Sequence, residues 1–142
     1  MVVFVEATVM TVGLNGRTTA LRELPIRLMK MRTGAQAARS LKNQYVDGVI
    51  SKWELDDMGN GEFLGNIRTV KPAIPTIVFV RAGDREQEIA ARSLGVSAVL
   101  TDDCDDELFR ETVASVLGLR LVAIKAIASA EDTKSCYEES IT

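Results

Sequence analysis

The chain has 142 residues, of which 46% are hydrophobic and 26% are charged, and this composition is typical of one folded domain rather than a disordered chain. Its net charge of −3 and its pI near 5.1 give no electrostatic reason to expect a nucleic acid or an anionic membrane as partner. The sequence contains no histidine, which excludes His-dependent nucleophiles, and no apolar run approaches the roughly 20 residues of a membrane span.

The chain begins with residues that favour a β-strand. Residues 2–8 predict the first strand, and the absence of a basic segment before them predicts a cytoplasmic protein without a signal peptide. Residues 9–24 are ambiguous, because two glycines weaken a helix; a hairpin through Leu14-Asn15-Gly16 is one alternative, and a short helix over residues 17–24 is the preferred interpretation. Ile26–Met31 alternates apolar and basic residues, which indicates a second strand with one wetter face.

Three further strands alternate with helices along the rest of the chain. The apolar runs at residues 45–53, 74–80 and 98–101 predict the strands, and the helices are predicted at residues 35–44, 62–70, 84–94 and 105–117. Asn60 is the expected cap of the second of these helices, and Asp84-x-x-Gln87 resembles a capping box. The inward residues of two helices are expected to include Phe63, Ile67 and Val70, and Leu108, Thr112, Val113 and Val116.

Five strands alternating with helices predict an α/β fold: a single doubly wound five-stranded parallel sheet with helices on both faces, a flavodoxin-like three-layer sandwich. In such folds the functional crevice lies beyond the carboxyl ends of the strands. The residues expected there are Glu6, Lys52, Val80 and Asp102.

Three runs of sequence carry a family resemblance: residues 47–55 with Asp57-Met58, residues 74–80, and residues 95–101. Their order and spacing resemble the third, fourth and fifth strands of the receiver domain of bacterial two-component response regulators. The resemblance covers roughly residues 2–118. It implies a receiver-like domain over residues 1–118 and a C-terminal extension over residues 119–142.

The resemblance also implies where a phosphorylation pocket would lie. Receiver domains use an acidic pair to hold Mg²⁺, an aspartate to accept the phosphoryl group, and a hydroxyl and a lysine to sense it. At these positions the chain has Glu6-Ala7, Lys52, Val80 and Asp102, with Val99 at the aromatic switch position and Asp103 in place of a proline. Mg²⁺ binding is therefore expected to be lost, and no other metal, cofactor or enzymatic activity is expected.

The charges of the third and fifth strand ends are exchanged relative to the family, since Lys52 stands for an aspartate and Asp102 for a lysine. This exchange predicts an ion pair between Lys52 and Asp102, or between Lys52 and Glu6. Such a contact would be a permanent replacement for a transient phosphate contact.

The favoured interpretation is a stand-alone pseudo-receiver, a protein-interaction module of signal transduction that is not phosphorylated. By analogy with the family, its partner surface would include Arg85, Glu88, Arg92, Val99, Asp103 and Phe109. A first alternative is a phosphorelay receiver that uses Asp56 or Asp57 as acceptor, although both also fit solvated loop acids. A second alternative is a sensor of a small ligand in the vacated crevice.

Several features of the sequence allow two interpretations each. Trp53 could anchor a partner or pack beneath its loop, and Arg81, Arg85 and Arg92 could form an anion site or be scattered surface residues. Residues 119–128 are apolar and are expected to pack on the domain itself or on a second subunit, and a homodimer through residues 84–128 is one alternative. Residues 129–142 are polar and predict a loosely ordered end, and Cys104 and Cys136 fit no metal-ligand spacing.

Overall fold

Five parallel strands form one sheet in the computed structural model, which describes residues 7–118. The strands are β1 (Ala7–Val12), β2 (Ile26–Met31), β3 (Gly48–Lys52), β4 (Thr76–Val80) and β5 (Ala98–Thr101). Their order across the sheet is β2-β1-β3-β4-β5, and all four pairings are parallel. The predicted α/β class and the doubly wound parallel sheet are confirmed.

Helices cover both faces of this sheet. They are a 3-10 helix (Asn15–Leu21), α1 (Gly34–Asn43), α2 (Glu62–Val70), α3 (Arg85–Ser93) and α4 (Asp106–Leu117). One core cluster joins the sheet to α1, α2 and α3 through side chains such as Leu41, Phe63 and Ala91. A second cluster on the opposite face joins the sheet to the 3-10 helix and α4 through Leu21 and Phe109.

Side chains cap three of the four α-helices. Thr33 Oγ1 accepts from the backbone N–H of Gln36 at 3.1 Å, and the carboxylates of Asp84 and Asp105 cap α3 and α4 in the same way. The Asp84 half of the predicted capping box is therefore present, but Gln87 Oε1 accepts from the N–H of Arg81 instead of returning to Asp84. The prediction that Asn60 caps α2 is wrong, because the cap is Gly61, which has no side chain and a φ of +75°.

The first strand lies further along the chain than residues 2–8. β1 pairs with β2 in register from Ala7 opposite Ile26 to Val12 opposite Met31. The residues that follow its carboxyl end are Gly13 and Leu14. The 3-10 helix then agrees with the preferred short helix before β2, although it begins and ends earlier than residues 17–24, and the alternative hairpin is not formed. Parallel strands need a crossover of about a dozen residues, usually a helix, and residues 13–25, which contain this short 3-10 helix, meet that need.

Two predicted inward residues face the solvent. Leu108 is 47% exposed and Val70 is 65% exposed, whereas Phe109, the residue after Leu108, is fully buried. Within residues 7–118, no helix is both long enough and apolar enough to span a bilayer. The predictions for residues 2–6 and for the C-terminal extension, including Cys136, fall outside the described residues.

Candidate functional site

A cleft of about 420 Å³ lies beyond the carboxyl ends of β1, β3, β4 and β5. It is lined by Gly13, Leu14, Gly16, Arg17, Lys52, Phe79 and Asp102. The chain leaves β1 toward β2 on one side and β3 pairs with β1 on the other, so this is the point where the strand order reverses. In doubly wound sheets, ligands bind at such a switch point.

Lys52 is the last residue of β3 and its side chain is exposed at the cleft. Its aliphatic stem passes beside Gly13, where a methyl group would lie 3.8 Å from Lys52 Cδ. The backbone after it is held firmly, since Trp53 N donates to Phe79 O at 2.8 Å. Lys52 therefore lines the cleft from a strand end whose following residue is hydrogen-bonded to β4.

Asp102 follows β5 on the same cleft, but its carboxylate does not pair with Lys52. Asp102 Oδ1 accepts from the N–H of Ala82 at 3.1 Å, and Asp102 N donates to Val80 O at 2.9 Å. None of the ion pairs formed among residues 7–118 includes Lys52. The prediction of a Lys52–Asp102 ion pair is thus corrected, because Asp102 accepts from the loop after β4 instead. The alternative pair between Lys52 and Glu6 lies outside the described residues.

Arg17 is a cleft residue that sequence reasoning missed. Its Nη2 donates to the carbonyl oxygen of Cys104 at 2.9 Å and contacts the Cys104 thiol at 3.4 Å, and its Nη1 donates to Asp102 O at 3.4 Å. The guanidinium also lies 5.4 Å from the ring centroid of Phe79 and 5.5 Å from that of Phe109, within cation–π range. Arg17 therefore ties the 3-10 helix to the loop between β5 and α4.

Replacing Arg17 should show how much this contact contributes. Because Arg17→Met leaves two carbonyl groups without their charged donor, we expect it to lower the free energy of unfolding by about 2 kcal/mol. Chemical denaturation of both proteins measures the difference. Arg85→Met is the control, since Arg85 is exposed at the start of α3; equal losses in the two variants would contradict the role of Arg17.

Three other predicted pocket residues lie away from the cleft. Ala7 is the first residue of β1 and Lys52 is the last residue of β3, so the two lie at opposite ends of neighbouring parallel strands. Glu6 precedes the described residues. Val80 ends β4 as predicted, but it is 2% exposed and packs in the core with α1, α2 and α3, whereas Phe79 lines the cleft. Val99 is partly buried against the same core. Among the predicted pocket residues that the structure describes, Lys52 and Asp102 are the two that line the cleft together.

Asp57 has a structural partner that the sequence did not indicate. Its two carboxylate oxygens each accept a backbone N–H at the start of α1, from Gly34 and from Ala35, both at 2.9 Å. The Ala35 and Gly34 N–H groups lower the pKa of Asp57 from its ordinary value of 3.8. A carboxylate at this position also complements the positive end of the helix dipole.

This contact makes a pH-dependent contribution to stability. Because the folded pKa of Asp57 is below 3.8, the contribution is complete above that value and is lost as the pH falls through the folded pKa. We expect Asp57→Asn to be less stable than wild type at neutral pH, with a difference that shrinks below pH 3.8. Urea unfolding from neutral to acidic pH measures it, and Asp56→Asn is the control; a constant difference would contradict the assignment.

For Trp53 and for two of the three arginines, the structure favours one of the two interpretations given by the sequence. Trp53 is 8% exposed within the core, so it packs beneath its loop rather than anchoring a partner. Arg81 Nη2 donates to Glu54 Oε2 at 2.7 Å, and Arg92 pairs with Glu88 on the same helix. These contacts favour ordinary surface ion pairs over an anion site.

The predicted partner surface keeps its charged members and loses one apolar member. Arg85, Arg92 and Asp103 are exposed. Phe109 is fully buried, and its ring contacts that of Phe79 edge-on at a centroid distance of 4.9 Å. The assignment of Phe109 to a partner surface is therefore wrong, because its side chain belongs to the core beneath the cleft.

Comparisons with known proteins agree with this architecture. No family model matches the chain. The transcriptional regulatory proteins GlrR of Escherichia coli K12 and QseF of Escherichia coli O157:H7 are each 29% identical to it over 85 residues, which is 60% of this chain but only 19% of either relative. The chain thus spans about a fifth of the length of the relatives it matches.

Solved structures share the fold at low sequence identity. The signal receiver domain of an HD domain-containing protein from Pseudomonas fluorescens Pf-5 superposes with a TM-score of 0.72 at 23% identity, covering 83% of this chain and 91% of that one. The receiver domain of a LuxO repressor protein from Vibrio parahaemolyticus has a TM-score of 0.71 at 15% identity, covering 87% and 97%. The chemotaxis regulator CheY4 of Vibrio cholerae has 0.69 at 17%, covering 78% and 98%.

Proposed function

We propose that this chain, which has the fold of a response-regulator receiver domain, is a protein-interaction module of cytoplasmic signal transduction that accepts no phosphoryl group and has no enzymatic activity. The observation that carries the proposal is the exposed ammonium of Lys52 at the carboxyl end of β3. An ammonium group has no lone pair with which to attack a phosphoryl donor.

The surroundings of Lys52 support the same conclusion. Gly13 and Leu14 follow β1, so this neighbouring strand end provides no carboxylate. Among the described residues that line the cleft, Asp102 is the one with a carboxylate, and its Oδ1 already accepts from Ala82. Mg²⁺ is bound through carboxylate oxygens and avoids cationic surroundings, so residues 7–118 do not offer it a fitting set of ligands at this cleft.

The loop acids are weak substitutes for an acceptor. Both oxygens of Asp57 are engaged by the start of α1, so its phosphorylation would remove two hydrogen bonds. Asp56 is exposed on the same loop and remains the alternative acceptor. A protein partner fits the ordinary surface charge of the chain better than nucleic acid or membrane does, given the net charge of −3.

Phosphorylation by a small donor tests this proposal. The full chain is incubated with acetyl phosphate and Mg²⁺, and its intact mass is measured; we expect no added phosphoryl group on the wild type. The Asp56→Asn variant is measured beside it. A labile phosphoryl adduct on wild type that disappears in Asp56→Asn would overturn the proposal in favour of an atypical phosphorelay receiver.

A second candidate function is recognition of a small anion in the cleft. The observation in its favour is that Lys52, which forms no ion pair with another residue of the range 7–118, lines a cleft of about 420 Å³. Titration with inorganic phosphate, followed by backbone amide shifts, tests it with Lys52→Met as control. Saturable shifts at Gly13 and Gly16 that vanish in the variant would support this function, and their absence would reject it.

A further inference from the structure

A second concave surface lies between α1 and α2, away from the cleft. This groove, about 240 Å³ in volume, has an apolar floor formed by Leu41 of α1 and by Phe63 and Ile67 of α2. The floor residues are between 2% and 6% exposed, so the groove is shallow and rests on the core. Val70 forms an exposed apolar side of it.

One exposed apolar side chain stands at the end of α2 and another follows the end of α1 in the chain. Val70 is 65% exposed at the end of α2, and Tyr45, two residues after α1, is 77% exposed. They are two of the four large hydrophobic residues exposed within residues 7–118. An exposed apolar side chain that lines a groove, as Val70 does, is typical of interaction sites.

The ionisable groups that line the groove are all cationic. Lys42 stands on the α1 side and Lys71 on the α2 side, and no carboxylate lines the groove between them. Neither lysine takes part in an ion pair within the described part of the chain. The whole chain nevertheless has a net charge of −3, so this is a local positive surface on an acidic protein.

We propose that the groove between α1 and α2 binds an acidic amphipathic helix of a partner protein. One large apolar side chain of that helix lies on Leu41, Phe63 and Ile67 against Val70, and flanking carboxylates contact Lys42 and Lys71. Binding of an amphipathic helix in an apolar groove is a recurring mode of recognition, and complementary charge supplies its specificity. The site does not depend on the chemistry at Lys52, and it differs from the surface around Arg85 and Asp103.

Two synthetic helical peptides of equal length and identical leucine spacing test this site. One has glutamate and the other lysine at the positions that flank the leucines. We expect the glutamate peptide to shift the backbone amides of α1 and α2 in the full chain and to bind at least tenfold more tightly than the lysine peptide, which corresponds to about 1.4 kcal/mol.

Two variants and one control locate the interaction. Val70→Glu should weaken binding of the glutamate peptide by about tenfold or more, and the double variant Lys42→Glu, Lys71→Glu should reverse the preference between the peptides. Ile89→Glu, at a 59% exposed apolar residue of α3, should leave binding unchanged. Equal weakening by Ile89→Glu, or equal binding of both peptides, would overturn the proposal. Self-association that Val70→Glu abolishes would instead make a second copy the occupant and would equally overturn it.

Discussion

Phe109→Ala should lower the free energy of unfolding by about 3–5 kcal/mol, as expected for removal of a fully buried aromatic ring. Phe109 has no exposed surface, and its ring meets Phe79 edge-on at 4.9 Å. The Arg17 guanidinium lies 5.5 Å from its centroid, so the substitution removes packing beneath the cleft as well as apolar burial. Thermal or urea unfolding of the purified variant measures the loss.

Leu108→Ala is the matched control, because Leu108 is the preceding residue of α4 and is 47% exposed. We expect a loss of about 1 kcal/mol or less in that variant, as for other exposed positions. A small effect at Phe109, together with loss of a partner interaction, would contradict its place in the core and restore it to the partner surface.

Gly61→Ala should destabilise the domain by about 2–4 kcal/mol, for two separate reasons. The residue has a φ of +75°, a left-handed conformation that costs other residues about 1–2 kcal/mol. An added methyl group would also lie 2.6 Å from Cζ2 of Trp53, so the indole ring would have to move. Trp53 is the only tryptophan of the chain, so its fluorescence reports the displacement while denaturation measures the loss.

Gly83→Ala separates these two causes. Gly83 has a φ of +83°, but a methyl group there would meet no atom within 4 Å. We therefore expect only the backbone cost, about 1–2 kcal/mol, and unchanged Trp53 fluorescence. Equal losses at the two glycines would show that contact with the indole ring contributes nothing.

Only part of the candidate site could be predicted from the sequence. Lys52 and Asp102 follow apolar strands, and the carboxyl ends of parallel strands meet at one edge, so their proximity follows from the order of elements. Their hydrogen-bond partners do not follow, because Asp102 accepts from Ala82, which lies after a different strand, and no local pattern near Asp102 indicates that contact. Arg17 reaches Cys104 across 87 positions of sequence, and no local pattern near Arg17 indicates that contact.

The assignment of an acidic pair to Glu6-Ala7 failed for a related reason. The chain is β-prone from Val2 to Val12, so local propensity does not say which part of that run pairs with β2. The register that places Ala7 opposite Ile26 and Val12 opposite Met31 is decided between strands. Because the strand ends at Val12, the residues at its carboxyl end are Gly13 and Leu14 rather than Glu6 and Ala7.

The amino-acid sequence by itself determined the strands at Ile26–Met31 and Ala98–Thr101, the helix at Glu62–Val70, and the parallel doubly wound sheet they build. Hydrophobic periodicity and helix capping depend on residues three or four positions apart, so they can be recognised in the amino-acid sequence alone. The tertiary structure alone decided that Phe109 rather than Leu108 faces inward, that Asp57 caps α1, and that Arg17 enters the cleft. Each of these depends on which distant surface an element packs against, and that is settled only when the whole core forms.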